Sequence, residues 1–340
     1  MTLHDNAAPR KRIRMGLFAP FAVLIVAVAA WTVGWSWMRA EVFRDMDANA
    51  RELAASGIQV AWTHRSISGF PFRLDLDISG PRLRESGGWG LAAPRLKAEA
   101  FVFAPRHWVV VAPDGATLIR RRGGAVIVRA RVLRASLSDA AAHPPRLSVE
   151  GLSLTFAPGP DAEPVALTSA AELHLHAKSG PDDQGAAYVE IDGARTAAPG
   201  VLNDIAAGAP VTLIADVIYS HAHTVEGNGF ADALRRWNGT ATVRSLRLTA
   251  GNAGAETRTG ALSLDGDGRL RGTLALTLKQ GPRLMTVLAA HAALSPESLT
   301  LAQTVIAAHS KAGKAAVTLD FLAGRTTLGP VSIGPAPRVY

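Results

Sequence analysis

The hydrophobic pattern of this chain changes period twice. Met15 to Met38 contains no charged residue at all. From Arg39 to Ser56 the apolar positions recur at helical spacing, with Val42, Met46, Asn49 and Leu53 on one stripe and Glu41, Arg44, Asp45, Asp47, Arg51 and Glu52 around it. After Gly57, a natural helix stop, the beat becomes two residues and stays so for most of the chain. Phe72, Leu74, Leu76 and Ile78 alternate with Arg73, Asp75 and Asp77, the mark of a strand with one buried face.

The same alternation runs through Val126 to Val132, Leu147 to Phe156, Leu173 to Ala177, Val211 to Tyr219 and Ala241 to Leu248, with a phase slip at Gly151 that suggests a bulge. Asp265-Gly266-Asp267-Gly268 joins two alternating runs as a hairpin turn. Helical spacing returns in Phe230, Ala233, Leu234 and Trp237, in Pro282 to Leu294, and in Pro296 to Ala308, where Ser295 is the expected cap. A last pair of strands is expected around Val317 to Phe321 and Thr326 to Ile333. The predicted fold is mainly β with a few helices: an N-terminal transmembrane helix, then a large antiparallel sheet, curved or sandwich-like.

About 24 residues at ~1.5 Å rise reach about 36 Å, enough to cross a hydrocarbon core of about 30 Å. The flank carries Arg10, Lys11, Arg12 and Arg14 against Asp5 alone, which orients that end toward the cytoplasm. Trp31, Trp35 and Trp37 sit at the other end, where indole rings favour the headgroup layer. The expected organisation is a cytoplasmic tail over 1–14, a transmembrane helix over 15–38, a juxtamembrane helix over 39–56 and a β-rich domain over 57–340. Ala27-Val28-Ala29 has the form of a signal-peptidase site, so a cleaved leader is the alternative to an anchor. The apolar run continues past it and favours the anchor.

The chain has no cysteine, which excludes disulfides, thiolate metal sites, a cysteine nucleophile and lipidation of an N-terminal cysteine. The formal charge of +8 falls to +5 once the basic tail is set aside. The remaining basic residues are scattered, apart from Arg120-Arg121-Arg122, and no nucleic-acid partner is expected.

Two histidine pairs have strand spacing suited to metal ligands: His174 with His176, and His221 with His223. Each lacks a specific third ligand, Asp216 and Glu226 being the nearest candidates, and the first pair occupies the polar phase of its strand. No metal and no cofactor is therefore assigned. H-E-x-x-H, G-x-S-x-G and the phosphate-cradling glycine motifs are all missing from the chain. The expectation is a protein that binds rather than an enzyme, with a motif-less hydrolase or metal-dependent enzyme as the remote alternative.

Ser68-Gly69-Phe70-Pro71-Phe72-Arg73-Leu74, following an anchor, an outward helix and the Gly57-Ile58-Gln59-Val60 strand, resembles the start of the bacterial domain of unknown function 2125 family. Leu328-Gly329-Pro330-Val331-Ser332-Ile333-Gly334-Pro335-Ala336-Pro337 resembles that family's ending. The resemblance implies a Gram-negative envelope protein in the inner membrane, facing the periplasm, and carries over no catalytic residue. A second, architectural likeness is to AsmA-type envelope proteins, which are associated with lipid traffic. Long amphipathic strands with few helices to cover them leave an apolar groove or fold into a closed scaffold. The groove reading assigns Phe70, Phe72, Leu74 and Leu76 to a hydrophobic ligand and makes membrane lipids the partner. The closed scaffold reading makes an envelope protein the partner.

Overall fold

The structure, a computed structural model, describes residues 15–139, 142, 144–197, 199–225, 234–292 and 294–339. Its first element is one uninterrupted helix, α1 (Met15–Ala55). Within it, Ala19–Ala55 holds a stretch of mean hydropathy 1.8 that is almost wholly exposed, so the helix is long and apolar enough to cross a membrane. It stops where expected: the Ser56 amide still reaches the Glu52 carbonyl at 3.1 Å, and Gly57 then turns at φ +80, a shape that favours glycine.

From Ile58 the chain is one antiparallel meander of 22 strands among the described residues. Its first passes are each creased into two strands in line: β1 (Ile58–Ala61) with β2 (His64–Ser68), β3 (Arg73–Ser79) with β4 (Arg82–Glu85), and β5 (Gly90–Ala92) with β6 (Arg95–Phe101). β7 (Trp108–Val111) with β8 (Ala116–Ile119) and β9 (Ala125–Arg129) with β10 (Val132–Ser138) repeat the form. On one side of the crease β2, β3, β6, β7 and β10 pair in that order. On the other side the order is β1, β4, β5, β8, β9. Pro81, Pro94 and Pro113 lie at the crease, where a residue without an amide hydrogen costs the ladder nothing. Both sides rejoin at β11 (Arg146–Pro158), whose first half pairs β10 and whose last residues pair β9. The expected slip falls two residues beyond Gly151, which pairs regularly with Leu133; Ser153, at φ +53, is the irregular residue.

Unbroken passes follow: β12 (Leu167–Ser179), β13 (Gln184–Thr196), β14 (Val211–Ser220) and β15 (Ala241–Ala250). β16 (Ala253–Thr257) and β17 (Gly260–Leu264) together fill the next pass, against β18 (Leu270–Lys279). The short β19 (Ser310–Lys311) and then β20 (Lys314–Leu322), β21 (Arg325–Leu328) and β22 (Val331–Pro335) complete the sheet, so the expected closing pair is three strands. Neither β1 nor β2 at one edge pairs with β22 at the other, and the sheet is open.

Three helices lie on the apolar face of the C-terminal passes: α2 (Val201–Ala206), α3 (Gly281–Ala292) and α4 (Pro296–Ala308). Ser295 caps α4 by accepting from the Ser298 amide at 3.2 Å. Of the helix expected around Phe230 to Trp237, Leu234 to Arg236 are helical and residues 226–233 lie outside the described residues.

Two separate cores result. In the larger, Met285 of α3 and Ile306 of α4 are buried with Leu274, Leu278, Val317 and Leu328 of the sheet. The smaller lies under α1, where Trp35, Met38, Val42 and Met46 cover Ile67, Leu74, Leu76, Ala98 and Val102. Arg65 of β2 clamps that helix in place. Its guanidinium lies 4.8 Å from the ring centres of both Phe43 and Trp62 and donates to the Asp47 carboxylate at 2.7 Å.

Candidate functional site

Strand register places the apolar phase of every pass on one face. One row starts beneath α1 at Leu76 and runs through Ala98, Val110, Ala135, Val149, Leu175, Val189 and Ala215 to Leu246. A parallel row runs from Trp108 through Leu137, Leu147, Ala177 and Ala187 to Val217. The ends of both rows belong to the two cores: Trp108 and Val110 to the smaller, Val217 and Leu246 to the larger. The middles belong to neither. Ala135, Leu137, Leu147, Val149, Leu175, Ala177, Ala187, Val189 and Ala215 are all half-buried, and no described helix lies over them.

This uncovered stripe crosses β10 to β14, five neighbouring strands at ~4.8 Å spacing, or about 19 Å across. It is apolar because the strands alternate, and bare among the described residues because α1 stops short of it on one side and α2, α3 and α4 begin beyond it on the other.

The opposite face of the same strands is a ladder of charge. Arg134, Glu150, His174 and Glu190 are successive cross-strand neighbours, and Arg134 pairs with Glu150 at 2.5 Å. On this face lies a depression of about 440 Å³ lined by His176, Tyr188, Asp216 and Arg244 among others. Its groups satisfy one another: Arg244 lies 3.7 Å from Asp216, and the Tyr188 hydroxyl donates to Glu190 at 2.7 Å. That hydrogen bond to a carboxylate pushes the tyrosine above its ordinary range, so it is held protonated and offers no base.

The residues singled out from sequence are distributed differently from one another. Leu74 and Leu76 are buried under α1, while Phe70 and Phe72 are exposed in the turn between β2 and β3. α1 covers the face that the two leucines present, and Phe70 and Phe72 lie at the edge of the same contact, against Trp35 and Trp31. Gly69 makes that turn at φ +96; a Cβ there would lie 2.8 Å from the Arg73 carbonyl and from the Asp75 carboxylate. Trp35 is buried, Trp37 is exposed, and Trp31 stands between turn and solvent. Arg10, Lys11, Arg12 and Arg14 lie outside the described residues.

His174 and His176 point to the polar face, with His174 Nε2 3.3 Å from Glu172. His223 bonds Asp183 through both its ring and its amide, and the amide hydrogen bond leads in holding that carboxyl below its ordinary range. Among the described residues no three histidine, aspartate or glutamate side chains gather as a metal site; Glu226 lies outside them.

The residues that form the stripe were missed as a site, although alternation was plain in β11, β12 and β14. β13 was missed altogether, despite Ala187, Val189 and Ile191 alternating with Tyr188, Glu190 and Asp192.

No curated protein and no solved structure matches the chain. A family described as an uncharacterized protein conserved in bacteria (DUF2125) matches residues 35–337, from the middle of α1 to just past the end of the sheet, and the chain belongs to that family.

Proposed function

We propose that this is a binding protein of the cell envelope, anchored in the inner membrane by α1 with its sheet in the periplasm, and that the stripe across β10 to β14 takes up acyl chains of membrane lipid. The observation that carries this reading is the gap between the two cores. Apolar side chains on five neighbouring strands are left half-exposed in a folded chain that covers the same rows at both ends. Half of a hydrocarbon core of about 30 Å, roughly one acyl chain, is about 15 Å, so a chain laid across the strands fits within the stripe. The basic tail before α1 supports the orientation, and tethering keeps the stripe beside a lipid supply.

The test uses neighbours that point to opposite faces. A benzophenone amino acid is placed at Leu175, or at His174 as control, in the full chain in intact membranes, and its photoproducts are read by mass spectrometry. Phospholipid adducts at Leu175 and not at His174 are expected. Equal adducts at both positions, or none at Leu175, would overturn the proposal, and a protein adduct at Leu175 would replace lipid with a protein partner.

A further inference from the structure

Where α1 meets the sheet, a cluster of aromatic rings stays largely exposed. Two turns reach the helix there, residues 69–72 between β2 and β3 and residues 102–107 between β6 and β7. Trp31 Nε1 donates to the Pro71 carbonyl and Trp35 Nε1 to the Arg73 carbonyl, each at 3.0 Å, so both indoles hold the first turn. The Trp31 ring centre is 6.3 Å from that of Phe72 and 5.9 Å from that of Phe103, and the two phenylalanines are 6.5 Å apart. Despite this mutual packing, Phe72 is 57% exposed and Phe103 74%, and Phe70 and Phe101 are exposed beside them. The turn between β12 and β13, at the same end of the meander, instead carries Pro181, Asp182 and Asp183.

The length of α1 identifies what covers the rings. Met15 to Ala30 lie before the first contact with the sheet; at ~1.5 Å per residue these 16 or so residues reach about 24 Å, short of a hydrocarbon core of about 30 Å. A bilayer entered at the basic tail therefore extends one helical turn or so past Ala30. That depth is level with Trp31 to Trp35 and with the two turns packed against them. Polar turns there would strand their side chains in hydrocarbon; the first turn presents Phe70 and Phe72 and the second Phe103, while the exposed Arg106 and His107 of the second turn carry charged and polar ends suited to the headgroup layer.

We propose that the turns at residues 69–72 and 102–107 are sunk into the leaflet on the domain side of the bilayer that α1 crosses, so that the sheet stands on the membrane on an aromatic foot. With α1 locked to the sheet by Arg65, Trp31 and Trp35, the foot fixes the sheet's tilt instead of letting it swing on a free stalk. This rests on the reading that α1 crosses the membrane, and it stands even if the central stripe binds nothing.

The chain has no cysteine, so single labels are clean. Full-length Phe103→Cys and Phe72→Cys, and Asp182→Cys as control, each carrying an environment-sensitive fluorophore, are reconstituted into vesicles of phosphatidylethanolamine and phosphatidylglycerol. Quenching by doxyl-labelled lipid is expected to be several-fold stronger at positions 103 and 72 than at 182, and quenching by aqueous iodide several-fold weaker. Position 103 makes no core contact, so its label tests depth even if the Phe72 variant fails to fold. Equal iodide quenching at 103 and 182 would overturn the proposal.

Discussion

The middle of the sheet and its C-terminal third are built from the same two-residue alternation, yet among the described residues one is bare and the other sealed. In β18 and β20, Leu274, Leu276, Leu278 and Val317 are buried, with Met285 and Ile306 of the covering helices packed among them. In β11 to β13 the corresponding Leu147, Val149, Leu175 and Val189 are half-exposed. The difference lies in the connections. The C-terminal passes are joined through α3 and α4, whereas among the described residues β11, β12 and β13 are joined by turns too short to return a helix over the sheet. Alternation sets which face is apolar; the covering elements set whether that face becomes a core or a site.

The largest effect tests the sealed region. Ile306→Ala should cost about 2–5 kcal/mol, because a fully buried side chain leaves a cavity, measured by equilibrium unfolding in mild detergent. Arg65→Ala should cost less, about 1–2 kcal/mol from two cation–π contacts and an ion pair, and should raise amide exchange in β2 and β3 while leaving β18 and β20 unchanged. Leu175→Ala should fall below about 1 kcal/mol, as for a side chain that solvent already reaches. If Leu175→Ala were as costly as Ile306→Ala, the middle of the sheet would be a core after all and the comparison would fail.

The smallest effect is acid sensitivity. Arg95 holds the Asp77 carboxyl, and Arg65 the Asp47 carboxyl, below the ordinary range, first through the hydrogen bond each donates. A folded-state value below the unfolded one means each pair stabilises fully above the ordinary carboxylate range and loses that stabilisation as pH falls through the depressed value. The melting midpoint should therefore lose these contributions only at strongly acid pH, and Asp77→Asn should shrink that loss. A contribution from Asp77 that vanished at mildly acid pH would contradict this assignment. In the bare stripe no carboxylate interrupts the apolar rows, so Leu175→Ala should leave the acid profile unchanged.

Much of the fold was legible because alternation is local. The strand at Arg73–Ser79, the hairpin at Asp265 and the α4 cap at Ser295 each depend on residues within a few positions of one another. The creased passes were harder to read. Short segments such as Arg82–Glu85 and Gly90–Ala92 are strands because a neighbouring pass pairs with them. The site was less legible than the fold. Leu74 and Val149 have the same alternating context in sequence; Leu74 is roofed by Trp35 and its neighbours on α1, and nothing described roofs Val149.

From its residues alone, this protein declares an apolar N-terminal helix, a two-faced antiparallel sheet and a family, because charge, hydropathy and strand period are properties of neighbouring positions. Only the tertiary structure decides that Leu76 is core while Val149 is open, and that Phe72 and Phe103 meet Trp31. Those outcomes depend on register across passes and on where the helices come to rest, and both are set by contacts between residues far apart in the chain.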